Sequence, residues 1–456
     1  MCIEHGTPIQ AGSMVDGSRP HHPSQQELAV EATETLITNV SVFNGTSKTL
    51  ITGQDVVLLG NKIAKLIPSG GDTTAYGQVI DGRGGYLTPG LIDAHWHCVL
   101  ALPAGVVINS PTQYVAAVAT WEAERLLMRG ITTVRDAGGN TAGLKRATDE
   151  GYVKGPRIYP SQAVIAQYSG HVDFRNPNFL PKEWSGRADP IEEIGLGMLC
   201  NGEQQVLAAA RNNLYQGATQ IKLAVSGGVI SFTDPLYVYE FTENEIEAGV
   251  KAASDYGTYV MVHCHSAGPM KRAMKAGAKT LEHISQADED SIKMAADLGV
   301  HVTVSALTAK NISGAYPKGD PRQVKGQLAW DNTGRVMEWI AKYGVTLSHG
   351  TDLLDSFENR DLQLADMTCR KEWFSSAEVM IQTTGNAGAT VGLCGQRNPY
   401  GKLGVIEEGA MADVLIYDKN PLADVAVVED HENNLKLVIK DGKVYKNTLA
   451  TVASSA

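Results

Sequence analysis

Two histidines one residue apart, His95 and His97, close a short apolar run that begins at Leu91 after Pro89-Gly90. Alternate side chains of a β-strand emerge on the same side. If residues 91–97 are a strand, both imidazoles leave its C-terminal end together, and two neutral imidazoles are half of a metal site. Taken alone, the pair reads equally well as two surface histidines at a strand end. Four later residues tip the balance: Lys222 lies in a strand-like segment, and His263, His283 and Asp352 end three others. Chance placement would scatter the 12 histidines over loops and helices as well, yet four of them sit at strand ends with an aspartate and a lysine. Imidazoles with a carboxylate suit Zn, and other first-row divalent ions accept the same donors. Lys222 is the odd member, because an ammonium among cations is repelled and is costly to bury unpaired. Once reacted with CO2 it is a carbamate, an anionic ligand with two oxygens able to bridge two ions. Unreacted, it would snorkel to the rim.

These segments belong to a regular alternation of strand and helix signals. Residues 130–136 read as a strand after a helix over 114–128, with Ser110 as its expected N-cap and Pro111 at its first position. Residues 219–225 form the next clear strand, ending at Ser226-Gly227-Gly228. Thr242-Glu243-Asn244-Glu245 is a capping-box start to a helix reaching Tyr256, and Ser375-Ser376-Ala377-Glu378 begins another. Strands at 259–263, 279–283, 301–305 and 345–349 complete the series. About eight βα units over residues 86–399 predict an α/β fold, a (β/α)8 TIM barrel whose functional residues gather at the C-terminal strand ends. A doubly wound sheet is the alternative, but no Gly-rich dinucleotide fingerprint follows an early strand.

Outside the barrel, β-like segments at 36–42, 56–59 and 62–67 recur in kind at 412–417, 435–440 and 443–445. Gly60-Asn61 and Asp441-Gly442 supply hairpin signals. Neither flank alone has enough strands to bury a face, so 34–85 and 400–448 are expected to pair into one small β-sandwich domain. Residues 1–33 read as a flexible arm in which His21 and His22 are incidental, and 449–456 as a C-terminal tail.

Composition narrows the partners. A 456-residue chain with 43% hydrophobic and 20% charged residues is an ordinary globular protein with room for a large core. Its net charge of -11 argues against nucleic acid or an acidic membrane surface as the main partner. No stretch is apolar for long enough to cross a membrane, and the N-terminal residues contain no apolar signal-peptide core. The 6 cysteines (Cys2, Cys98, Cys200, Cys264, Cys369 and Cys394) show no CxxC and no clustering, which points to a reducing, cytoplasmic setting.

Pro89-Gly90-Leu91-Ile92-Asp93-Ala94-His95-Trp96-His97 resembles the signature of the metal-dependent amidohydrolase superfamily. Gly130-Ile131-Thr132-Thr133-Val134-Arg135-Asp136-Ala137-Gly138-Gly139 resembles its second strand, Gly350-Thr351-Asp352 its eighth, and residues 401–413 its return into the small β domain. The resemblance implies His95, His97 and Asp352 on one ion, His263 and His283 on a second, and carboxylated Lys222 between them. Residues 221–229, Thr233-Asp234-Pro235 and Ser169-Gly170-His171-Val172-Asp173 are similar to the prolidase-like and ochratoxinase-like members, which cleave the amide bond to a C-terminal amino acid in dipeptides or N-acyl amino acids. Val172 stands where that subgroup often has Gly.

The implied chemistry is attack by a hydroxide shared between two ions, with Asp352 as general base and then general acid. His171 with Tyr237 or Tyr239 could hold the substrate carbonyl or carboxylate, and Arg175 or Arg135 could pair with a carboxylate. Arg135 could equally form a structural ion pair with Asp136 or another acid. The resemblance also suggests a homo-oligomer acting on a small molecule. The same metal pair could instead open a cyclic amide, lactone or ester. A mononuclear deaminase would need an acid just after His263, where the chain reads Cys264-His265-Ser266-Ala267. A non-catalytic scaffold would not need all six ligand positions filled.

Overall fold

The computed structural model describes residues 34–231 and 233–449. The expected arm over 1–33, with Cys2, His21 and His22, and all but the first residue of the expected 449–456 tail lie outside the described residues. Four strands open the fold: β1 (Thr35–Val42), β2 (Gln54–Leu59), β3 (Lys62–Pro68) and β4 (Gln78–Pro89). Next come β5 (Leu91–Trp96), β6 (Ile131–Asp136), β7 (Arg157–Pro160), β8 (Val164–Ala166) and β9 (Gly197–Leu199). The central run continues with β10 (Ile221–Ala224), β11 (Val260–Ser266), β12 (Thr280–Gln286), β13 (His301–Thr303) and β14 (Leu347–Ser348). The chain returns through β15 (Val414–Tyr417), β16 (Leu435–Lys440) and β17 (Lys443–Asn447).

Both flanks lie in one seven-stranded sheet, ordered β17-β16-β15-β4-β1-β2-β3. Its edge strand β3 also meets the return segment, Ile63 N donating to Ala410 O at 2.9 Å. The twelve-residue β4 runs through the expected 85/86 boundary and pairs with β15, so one strand links the flanking sheet to the central unit. The turn after β16 carries positive φ at both Asp441 and Gly442, the geometry of a tight right-twisted hairpin. A Cβ on Gly442 would lie 1.9 Å from the carbonyl oxygen of Gly60, so the two hairpin turns abut and only glycine fits there.

The central strands form two parallel sheets, β5-β6-β7 and β14-β13-β12-β11-β10-β8-β9, giving a TIM-barrel-like domain. Backbone hydrogen bonds join the sheets at two seams. Ala94 N donates to His349 O at 2.8 Å on one side, and Thr219 N donates to Pro160 O at 2.8 Å on the other. Helices cover the outside, where the sequence signals place them. Thr242 and Glu245 form a reciprocal capping box ahead of helix Glu243–Asp255, and Ser375 and Glu378 do the same ahead of Ser376–Thr383. One helix start differs: Pro111, rather than Ser110, is the N-cap of Thr112–Met128, with no side-chain cap bond. Its ring fixes φ but offers no acceptor, so this helix begins on backbone geometry alone. Among the described residues Cys98, Cys200, Cys264, Cys369 and Cys394 are free thiols, and no helix is long and apolar enough to cross a membrane.

Candidate functional site

His95 is the next-to-last residue of the fully buried β5, and His97 comes directly after the strand. Each imidazole has one nitrogen committed to the protein. His95 Nδ1–H donates to Glu282 Oε2 at 2.9 Å, and His97 Nδ1–H donates to the Gly138 carbonyl at 2.9 Å. That fixes the tautomer and leaves Nε2 of both rings unprotonated. The two Nε2 atoms face Asp352 Oδ1 at 3.7 and 3.4 Å, too far for hydrogen bonds, and Oδ1 is buried without a hydrogen-bond partner. Burial holds His95 well below the ordinary imidazole range and takes His97 to about 3, so both rings are neutral. Three donors lying within 4.8 Å of one another, two neutral nitrogens and an orphaned carboxylate oxygen, fit a divalent ion. Small residues make the room: a Cβ on Gly138 would press on the His97 ring, and one on Gly350 would meet His95 Cβ at 2.9 Å.

Opposite these ligands stand His263, His283 and His265. The His283 ring lies 4.6 Å from both the His95 and the His263 rings and stacks on His265 at 5.1 Å. Its backbone is left-handed, φ 74°, as is Ile284, φ 43°, so the chain bulges out of register there and re-aims the ring. The supports on this side are longer. His263 Nε2 lies 3.3 Å from the Gly227 carbonyl oxygen and His283 Nδ1 lies 3.3 Å from Ser305 Oγ. Between the two groups sits Lys222, only 2% exposed and without a hydrogen bond among the described residues. Burial lowers its pKa to about 8 against the opposing pull of Glu282 and Asp352. Burial likewise raises Asp352 to about 7.

Behind His95, Glu282 is fully buried and holds Arg135 Nη2 at 2.8 Å from each carboxylate oxygen, with Thr280 and Thr303 hydroxyls donating at 2.6 and 2.7 Å. Arg135 also donates to the Ala94 carbonyl and the Tyr259 hydroxyl. Of its two expected roles Arg135 therefore takes the structural one, with Glu282 as its acid rather than Asp136. The acid sets His95 and the arginine sets the acid.

His171 joins the cluster, its ring stacked on His263 at 3.9 Å and 15°. Its Nδ1 lies 3.1 Å from Ser231 Oγ and 3.6 Å from Asp234 Oδ2, which leaves Nε2 for the cavity. A Cβ on Gly228 would overlap this ring, which explains the paired glycines after β10. The other expected contacts lie elsewhere. Arg175 closes an ion pair with Asp173 at 2.7 Å and covers the Tyr168 ring. Tyr237 and Tyr239 are 74% and 50% exposed, and Tyr239 packs under Arg272. None of the three lines the cavity of about 180 Å3 that contains His95, His97, His171, Lys222, His263, His283 and Asp352.

That cavity also contains His265, Ser285 and Ser305, which the sequence reading passed over. His265 was within reach of the same argument as His95 and His97, since it alternates with His263 on β11.

Comparison with known proteins agrees with this architecture. Residues 86–445 match the Amidohydrolase family. Ochratoxinase of Aspergillus niger is 29% identical over 381 residues, 79% of this chain and 75% of that protein. A crystal structure of a prolidase complexed with N-methylphosphonate-L-proline superposes with a TM-score of 0.82 at 32% identity, covering 91% of this chain and 100% of the other. A Xaa-Pro dipeptidase with methionine bound in its active site gives a TM-score of 0.78 at 29% identity, covering 91% and 100%. These matches show that the chain belongs to the amidohydrolase family, and that it is a hydrolase acting on C–N bonds.

Proposed function

We propose that this enzyme is a binuclear hydrolase that cleaves the amide bond to a C-terminal amino acid in dipeptides or N-acyl amino acids. His95, His97 and Asp352 would hold one ion and His263 and His283 the second, with Lys222, carboxylated on Nζ, serving both. Zinc is the ion such donors favour. When bound, divalent ions lower the pKa of water and polarise the scissile carbonyl. The carrying observation is a buried pole of neutral imidazoles around two unpaired polar groups, Asp352 Oδ1 and Lys222 Nζ. Relatives named prolidase, dipeptidase and ochratoxinase support the choice of amide.

The residues divide the work by position. Asp352 accepts the proton of the attacking water and returns it to the leaving amine, a role open to it because its Oδ1 has no hydrogen-bond partner in the protein. His171, locked through Nδ1 by Ser231, presents Nε2 to the substrate carbonyl or carboxylate. The neutral rings of His95 and His97 keep their lone pairs on the cavity side because Glu282 and Gly138 take their protons. The hydrogen bonds at the two seams support a reading of the parallel sheets as one closed (β/α)8 barrel, with the seven-stranded sheet as its flank. The test is a panel of dipeptides and N-acyl amino acids set against esters and lactones, followed by release of free amino acid. Release from the amides supports the reading, and turnover of esters or lactones alone contradicts it.

A further inference from the structure

One lysine outside the ligand set is tied to a turn rather than to an acid. Lys325 lies on helix Pro321–Tyr343, half-buried and away from the cavity lining. Its Nζ donates to the carbonyl oxygens of Gly228, Ser231 and Asp234, at 2.6 Å for Ser231 and 3.3 Å for Asp234. An ammonium has three N–H groups, so three convergent carbonyls use all of them. Carbonyl dipoles aimed at one spot repel one another unless a cation sits between them. Gly326, next along the helix, lets it seat closely against helix Ala306–Ala315. A Cβ there would meet Ile312 Cγ2 at 2.8 Å and Ser313 N at 3.0 Å.

The turn that Lys325 gathers is the one behind His171. Asp234 Oδ2 accepts from Gly228 N at 2.7 Å and from Ser231 Oγ at 2.6 Å. With its own proton given to Asp234, the Ser231 oxygen is left to accept from His171 Nδ1–H at 3.1 Å. The His171 backbone is anchored elsewhere, its N–H donating to Glu240 Oε1 at 2.7 Å. Glu240 thus fixes where the residue stands, and the turn fixes where its ring points. We infer that Lys325 is a positioning residue for His171: it holds the 228–234 turn together so that Ser231 and Asp234 aim the imidazole at the substrate. This rests on the amide-hydrolysis reading above, in which His171 meets the substrate, and adds a residue that acts through it. A side chain that only stabilised the fold would matter with or without the His171 ring. One that acts through the ring has nothing left to act on once the ring is gone.

The test is a double-variant cycle in zinc-loaded enzyme, read as kcat/KM on the best-cleaved member of the dipeptide and N-acyl amino acid panel. Lys325→Met is expected to lower kcat/KM by about 10–100-fold with zinc content unchanged. His171→Ala should cost at least as much, and adding Lys325→Met to it should change kcat/KM by less than about twofold. Lys325→Arg keeps the charge but offers a planar fork in place of three convergent N–H groups, so it should fall with Lys325→Met. It takes that variant's place in the cycle if the methionine protein does not fold. Losses that multiply in the double variant, or Lys325 variants that turn over like the parent, would overturn the inference while leaving amide hydrolysis standing. Loss of zinc in the Lys325 variants would also overturn it, since the effect would then lie with the metal ligands. A parent that releases no amino acid from any member would overturn both the inference and the reading beneath it.

Discussion

The two halves of the site are built to different standards. On the His95/His97 side each ring is held by a 2.9 Å hydrogen bond, one of them to a carboxylate locked by a buried arginine. On the His263/His283 side the supports are a carbonyl and a hydroxyl at 3.3 Å, and the rings rest mainly on one another. Charge-assisted hydrogen bonds are about twice as strong as neutral ones, so the first half is preorganised and the second is shaped by what enters it. The lesson is that a site with a symmetric set of histidines is asymmetric in rigidity.

Removing Asp352 should cost the most, because its Oδ1 faces the better-held rings and, on the proposed mechanism, it carries the proton. Asp352→Asn is expected to lower kcat by about 10³-fold or more while leaving the fold intact, read by steady-state kinetics alongside circular dichroism. Near-normal turnover would move the base elsewhere. Glu282→Gln tests the stiffness of the first half. It should weaken metal affinity by about 10–100-fold and cost about 3–5 kcal/mol of stability through the stranded Arg135, measured by chelator competition and urea unfolding. Unchanged affinity would mean that His95 needs no anchor.

The whole cluster should make the metal-free protein acid-sensitive. His95, His97, His263, His265 and His283 are all kept neutral by burial, His97 and His265 down to about 3. The unfolded chain therefore binds more protons below about pH 6.5, and stability falls as pH drops through that value. Asp136, Asp189, Glu240, Asp352 and Asp355 are raised by burial and act in the opposite sense, but they are five against eight once His301, His349 and His431, also lowered by burial, are added to the cluster. The urea midpoint of metal-free protein should be lower at pH 5 than at pH 7, and a rise on acidification would contradict this balance. The smallest effect belongs to the weaker half. Ser305→Ala removes the partner of His283 and should change metal affinity by less than about threefold, since a long neutral hydrogen bond contributes under about 1 kcal/mol. An effect equal to that of Glu282→Gln would erase the contrast between the halves.

Much of this was legible in the chain because strands repeat with period two. His95 with His97 follows that rule, and the capping boxes at Thr242 and Ser375 announce their helices. The rule fails where the backbone leaves the strand. Glu282 and His283 are neighbours that period two sends to opposite faces, yet both serve the site, because positive φ at His283 and Ile284 turns the second ring inward. Loop residues were less readable still. Arg175 lies close to His171 in sequence, but Asp173, two residues away, captures it. Tyr237 and Tyr239 follow the Asp234-Pro235 turn outward into solvent. Glu282 gave no sign of its role, since its partners Arg135 and His95 come from strands far away in the chain.

The bridging role of Lys222 is tested most directly by counting ions per chain in Lys222→Ala, with and without a short carboxylic acid such as propionate. The parent should hold two zinc ions. The variant should keep one, on the His95/His97/Asp352 side, and lose activity, and propionate should restore the second ion with part of the turnover. A variant that holds two ions and full activity without the acid would contradict the account.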